Sequence, residues 1–139
     1  MPPKTVYATI ENNMQVIANL NGFEYIMDSV AAGDEPTGVS PTDMLFVAMA
    51  GCKAMTAKTY ATRAHLDVRD IKVRVEGEVR KGEGGVMILD MHTVIDVDGD
   101  ISPEEYTRMS DFIEKRCHVH KILSQANTVT QEVNLVNQD

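Results

Sequence analysis

The sequence predicts an α+β domain in the order β3-α-β2-α-β, and three observations carry that prediction. Two stretches of alternating apolar and charged residues flank the Gly82 to Gly85 turn. Two long proline-free segments each follow a Ser-Pro pair, at Ser40-Pro41 and Ser102-Pro103. The N-terminal region is broken into short Val-, Ile-, Tyr- and Phe-rich pieces by Asn12-Asn13 and Asn21-Gly22. Runs of strand separated by single helices belong to the α+β class rather than to a parallel α/β sheet. The 139 residues, 43% hydrophobic and 24% charged, are enough for one domain over 1–139 with its own core, and no internal repeat or low-complexity segment divides them.

The first element is a three-stranded antiparallel meander over about 5–28, its turns set by the two asparagine pairs. A loop rich in turn formers follows, through Gly33, Asp34, Glu35, Pro36, Thr37, Gly38 and Ser40. Ser40 then caps a helix over about 41–65 with Pro41 at its first position. From Met44 to Cys52 this helix is apolar on every face, which predicts a central position or a second subunit sealing it. Its second half regains polarity through Lys53, Lys58, Thr59, Thr62 and Arg63 and is expected to emerge into solvent.

A β-hairpin over about 70–98 comes next. Ile71, Val73, Val75 and Val79 alternate with Lys72, Arg74, Glu76, Glu78 and Arg80, and the same period recurs in Met87, Leu89, Met91, Ile95 and Val97 against Asp90, His92, Asp96 and Asp98. Ser102-Pro103-Glu104-Glu105 reads as a capping box opening a second helix over about 102–120. Its buried stripe is expected to run Tyr106, Met109, Ile113, Cys117 and on to His120. Val129, Val133 and Leu135 suggest a last strand over about 128–136.

Charge and hydropathy exclude several function classes. A formal net charge of −8 repels phosphate backbones and anionic lipid, and no cluster of Lys and Arg with aromatics offsets it, so no nucleic-acid partner is expected. The N-terminus lacks the apolar core of a signal peptide, and the longest apolar run is too short for a bilayer. The expectation is a cytoplasmic protein with no membrane partner. With three Phe, no Trp and nine Met, the core must be aliphatic and thioether-rich. Met44, Met49 and Met55 could also line an apolar ligand pocket.

The two cysteines, Cys52 and Cys117, are expected to be free thiols in a reducing compartment; taken alone, such a pair is more often two small buried hydrophobes than two reactive groups. Cys117, His118 and His120 invite comparison with zinc sites. A closed tetrahedral site needs four ligands, however, and only His65 and Cys52 could complete it, so no metal is expected.

Two segments carry a family resemblance. Ser40-Pro41-Thr42-Asp43-Met44-Leu45-Phe46-Val47-Ala48-Met49-Ala50-Gly51-Cys52 resembles the Asn/Ser-Pro-acidic opening of the apolar, cysteine-bearing helix of the OsmC/Ohr family, named for osmotically inducible and organic hydroperoxide resistance proteins. Arg116-Cys117-His118-Val119-His120-Lys121-Ile122-Leu123 is similar to that family's Cys-Pro-Val-His segment. The resemblance covers roughly residues 35 to 136. It implies an intertwined homodimer with two central helices and active sites near the subunit interface. It also implies a peroxidatic Cys52, a resolving Cys117, an external dithiol reductant such as a lipoyl group, and no bound cofactor.

Around that pair the sequence offers Asp43, His120 and Thr42 as supporting or substrate-binding candidates. Thr42 occupies the position, ten residues before Cys52, where peroxidase members carry glutamate, and residues 1–51 hold no arginine and a single basic residue, Lys4. The substitute cations considered are Arg63, Arg116, His120 and Lys121. Cys52 is predicted to lie well inside its helix and Cys117 toward a helix C-terminus, so neither thiol is expected to ionise unusually easily. Two functions follow: reduction of organic hydroperoxides or a related small electrophile, or a non-enzymatic dimer that binds an apolar small molecule and keeps its cysteines inert.

Overall fold

A computed structural model describes residues 1–11, 13–29, 35–125, 129–132 and 134. By backbone proximity the chain forms two compact units, residues 1–51 with 72–96 and residues 52–71 with 97–139.

In the first unit, β1 (Tyr7–Ile10), β2 (Val16–Leu20) and β3 (Phe23–Met27) form the predicted antiparallel meander, with Tyr7 opposite Asn19 and Val16 opposite Met27. The β2–β3 turn has positive φ at both Asn21 (54°) and Gly22 (83°), the twist that lets a two-residue hairpin close. Ala18 is the buried residue of this sheet; Tyr7 (74%) and Phe23 (67%) stay exposed on the isolated chain. Gly38 lies where a Cβ would run into the Ile26 carbonyl, so only glycine lets the chain pass β3 and make the Met27–Val39 bridge.

Helix α1 (Pro41–Arg63) starts as the sequence requires: Ser40 Oγ accepts the Asp43 N–H at 3.1 Å, and the Ser40 carbonyl takes the Met44 N–H at 3.1 Å. It ends in a Schellman motif, with Leu66 N–H to Ala61 O at 2.9 Å and His65 in the left-handed region (φ 54°). Strands β4 (Asp67–Lys81) and β5 (Met87–Asp100) pair across a short 3₁₀ turn, Glu83–Gly85. The alternation holds over most of both strands, with Ile71, Val73, Val75, Leu89, Met91 and Ile95 turned from solvent more than their charged neighbours, while Val79 and Met87 beside the turn are exposed.

In the second unit, Ser102 Oγ accepts the Glu105 N–H at 3.2 Å and opens α2 (Pro103–Arg116). The reciprocal half of the predicted capping box does not form. The Glu105 carboxylate instead accepts from Tyr60 Oη and Arg108 Nη1, both at 2.8 Å. Ala57, Ala61, Met109, Ile113 and Cys117 are the buried apolar residues here.

The second helix does not run unbroken to residue 120. It stops at Arg116, Cys117 is extended (φ −71°, ψ 108°), and a separate α3 spans His118–Leu123. Cys117 joins the two: its N–H completes α2 on the Ile113 carbonyl at 2.9 Å, while its own carbonyl takes the Lys121 N–H at 3.1 Å to begin α3. The final strand expected over about 128–136 involves residues 128, 133, 135 and 136, which lie outside the described residues. Among the described residues, no helix is long and apolar enough to cross a membrane.

Candidate active site

Cys52 sits on α1, half-buried, and the break at Cys117 brings the second thiol against it. The two share a hydrogen bond, Cys117 with no exposed surface and Cys52 partly open to solvent. Met109 and Ile113 approach Cys117 along α2, so its burial follows from the stripe the sequence displays.

The thiols differ in how easily they ionise. Burial pushes Cys52 up, but the Val119 backbone N–H, the Cys117 thiol, the Thr56 hydroxyl and the His118 backbone N–H together outweigh it and leave the thiol below its ordinary value. The Thr56 hydroxyl has one proton and directs it at the Cys52 carbonyl at 2.7 Å, so it serves the sulfur only when it swings off the backbone. The steadier donors are the amides of the first turn of α3, which exist because the helix breaks at Cys117. Cys117 is held above its ordinary value by burial and by the hydrogen bond and charge of Cys52, with the His120 backbone N–H and the Lys53 charge opposing. The expectation that no helix end assists Cys52 is therefore overturned: the second cysteine motif turns free amides toward the first cysteine. Cys117, expected toward a C-terminus, closes one helix and opens another.

Lys53 is a second correction. Expected where α1 emerges into solvent, it is 5% exposed and stands in the buried stripe Met49, Lys53, Ala57, Ala61, spaced by four along the helix. Its Nζ lies 2.6 Å from Nδ1 of His120. An ammonium donating there makes Nδ1 the acceptor and puts the ring proton on Nε2. Sequence reasoning missed this cation because lysine ordinarily marks a wet face; the four-residue spacing of Met49, Ala57 and Ala61 around it was the available signal.

Of the cations considered from sequence, Arg63 and Arg116 are engaged elsewhere, with guanidinium carbons 5.9 and 5.8 Å from the centroid of the Phe112 ring. That ring packs on Tyr60 at 5.2 Å. Lys121 is exposed, whereas His120 joins the cysteine cluster through its amide and its ring. Thr42 and Asp43 lie in the first unit, on a groove of about 590 Å³ lined also by Val39, Phe46, Val47 and residues 75–79 of β4. Of the three methionines near the motif, Met49 is buried and Met55 is 74% exposed. Among the described residues, no three His, Cys, Asp or Glu side chains gather as metal ligands.

Comparison with known proteins gives a consistent picture. Residues 32–132 match the family model described as OsmC-like protein. No curated protein sequence matches. Among solved structures, an OsmC-like protein from Mycoplasma pneumoniae superposes with a TM-score of 0.78 at 20% identity, over 88% of each chain. An organic hydroperoxide resistance protein from Elizabethkingia anophelis gives a TM-score of 0.67 at 14% identity, over 88% of each chain. The organic hydroperoxide resistance protein of Bacillus subtilis gives 0.64 at 17%, over 86% of this chain and 89% of that one. At these identities the likeness is one of fold, and it includes the mixed α+β architecture predicted from sequence.

Proposed function

The chain belongs to the OsmC-like protein family, and we propose that it reduces organic hydroperoxides, or a related small electrophile, through Cys52 and Cys117. The observation that carries this reading is the contact between a half-exposed thiol favoured as thiolate by backbone amides and a second, buried thiol. The organic hydroperoxide resistance proteins of the same fold support the substrate class.

In the proposed sequence the Cys52 thiolate attacks a peroxide oxygen and the O–O bond breaks. The alkoxide takes a proton and leaves as alcohol, and Cys52 becomes a sulfenic acid. Cys117 then displaces the hydroxyl as water and forms the Cys52–Cys117 disulfide. An external dithiol reduces it and is itself oxidised to a disulfide. His120 supports the cysteine pair, while Thr42 and Asp43 are left without a chemical step. The reading predicts consumption of cumene hydroperoxide or tert-butyl hydroperoxide that continues only while a dithiol such as dihydrolipoamide is supplied. Consumption no faster than by the dithiol alone would refute it.

We also propose that the working form is a homodimer. Val47 (53%) and Met55 (74%) project from α1 into solvent on the single chain, more apolar surface than a helix of this kind leaves bare. Sedimentation equilibrium at low micromolar concentration should return about twice the 15.4 kDa chain mass; a well-folded monomer contradicts the proposal. The groove beside Thr42 and Asp43, large enough for a small molecule, favours the second reading of an apolar-ligand module. That reading gains if an apolar ligand binds and hydroperoxide is untouched.

A further inference from the structure

A buried lysine needs a reason. Lys53 is 5% exposed, and among the described residues no carboxylate pairs with it; its hydrogen-bond partner is the imidazole of His120 at 2.6 Å. An ammonium taken out of water without a counter-ion is costly, and a methionine of similar length would fill the same slot between Met49 and Ala57 without that cost. What the charge gains must therefore be sought among its neighbours.

The neighbour in contact is His120, and beyond it stands Cys117. His120 bonds Lys53 through its ring while its backbone N–H reaches the Cys117 sulfur, and the lysine charge acts on that same sulfur. Cys117 needs such help more than Cys52 does, being fully buried and facing the other thiol, so burial and its neighbour both oppose a negative charge there. Of the first-turn amides of α3 only that of His120 opposes this, those of His118 and Val119 being spent on Cys52.

We propose that Lys53, oriented by His120, is the positioning cation of the second half-reaction: it stabilises Cys117 as a thiolate while that sulfur attacks oxidised Cys52. This rests on the disulfide step of the proposed function and adds a residue that assists it. In that step the Cys117 sulfur forms the S–S bond, the Cys52 S–O bond breaks, and the departing hydroxyl combines with the proton Cys117 gave up. Water leaves, and Lys53 remains an ammonium throughout.

The test separates the two half-reactions. Lys53→Met should form the Cys52 sulfenic acid, trapped by dimedone, at the wild-type rate, yet close the disulfide more slowly than wild type, because a charge that favours the Cys117 thiolate is gone. Lys53→Arg, which keeps the charge, should close it faster than Lys53→Met. Diamide supplies an independent readout. It oxidises Cys52 to a sulfenyl hydrazine that Cys117 must displace in the same way, so closure should slow in Lys53→Met with diamide as with hydroperoxide. Wild-type closure rates in Lys53→Met with both oxidants, or an equal slowing of both half-reactions, overturns the inference. If hydroperoxide yields no sulfenic acid in the wild type while diamide closure still depends on Lys53, the hydroperoxide reading fails and the role of Lys53 stands.

Discussion

Cys52→Ser protein is expected to consume no hydroperoxide above the buffer-and-dithiol background, because an alkoxide-forming serine cannot replace a thiolate at neutral pH. Cys117→Ser is expected to differ in kind. Its Cys52 keeps the backbone amides of Val119 and His118, so it should react once and stop as a sulfenic acid that dimedone traps in near-stoichiometric yield. Wild-type protein, with the buried thiol in contact, should show that species only transiently. Dithiol-driven turnover should fall to background in Cys52→Ser and to a small residue in Cys117→Ser, where dithiol must reach the sulfenic acid directly. Equal turnover by wild type and Cys52→Ser at every pH would leave the apolar-ligand module as the better account.

The second large effect concerns pH, where the two thiols should behave oppositely. A thiolate is the attacking species, so each step rises with pH until its own thiol is ionised and is flat above that point. Cys52 is lowered, so sulfenic acid formation should level off at a lower pH than for an unassisted thiol, whose ordinary value is about 8.5. Cys117 is raised, so disulfide closure should still be climbing there. Stopped-flow oxidation followed by quenching with dimedone should therefore find progressively less trapped sulfenic acid as pH rises past the Cys52 ionisation and toward that of Cys117. A first step that gains about tenfold per pH unit up to pH 8.5 would mean that the α3 amides do not act on Cys52.

That prediction reverses the one the sequence supports, and the reason is local. The Asn21-Gly22 turn, the Ser40 and Ser102 caps and the alternation of β4 and β5 were legible because each depends on a few adjacent residues whose chemistry permits little else. The break at Cys117 has no such mark. Arg116, Cys117 and His118 all carry N–H groups and side chains a helix accepts, and the stripe of Tyr106, Met109, Ile113 and Cys117 continues helical spacing to the break. The interruption coincides with contacts to residues far away in sequence, Cys117 to Cys52 and His120 to Lys53. The cysteine pair was legible as two motifs, whereas the amides that favour its thiolate were not.

Lys53 was hidden by its type. Lysine in a helix that has just left an apolar run signals solvent on composition, and only its placement four residues from Met49 and from Ala57 contradicts that signal. The capping box failed in the same way: Glu105 stands at the right spacing, but Tyr60 and Arg108, the first distant in sequence, hold its carboxylate.

The central claim is that Cys52 and Cys117 act as one redox pair, and intact-mass analysis tests it most directly. Fully reduced protein treated with one equivalent of tert-butyl hydroperoxide and digested without reductant should lose about two mass units per chain, the two hydrogens a disulfide removes, and yield a peptide linking Cys52 to Cys117. Protein that keeps its reduced mass, or that gains oxygen at Cys52 while Cys117 stays a free thiol, would contradict it.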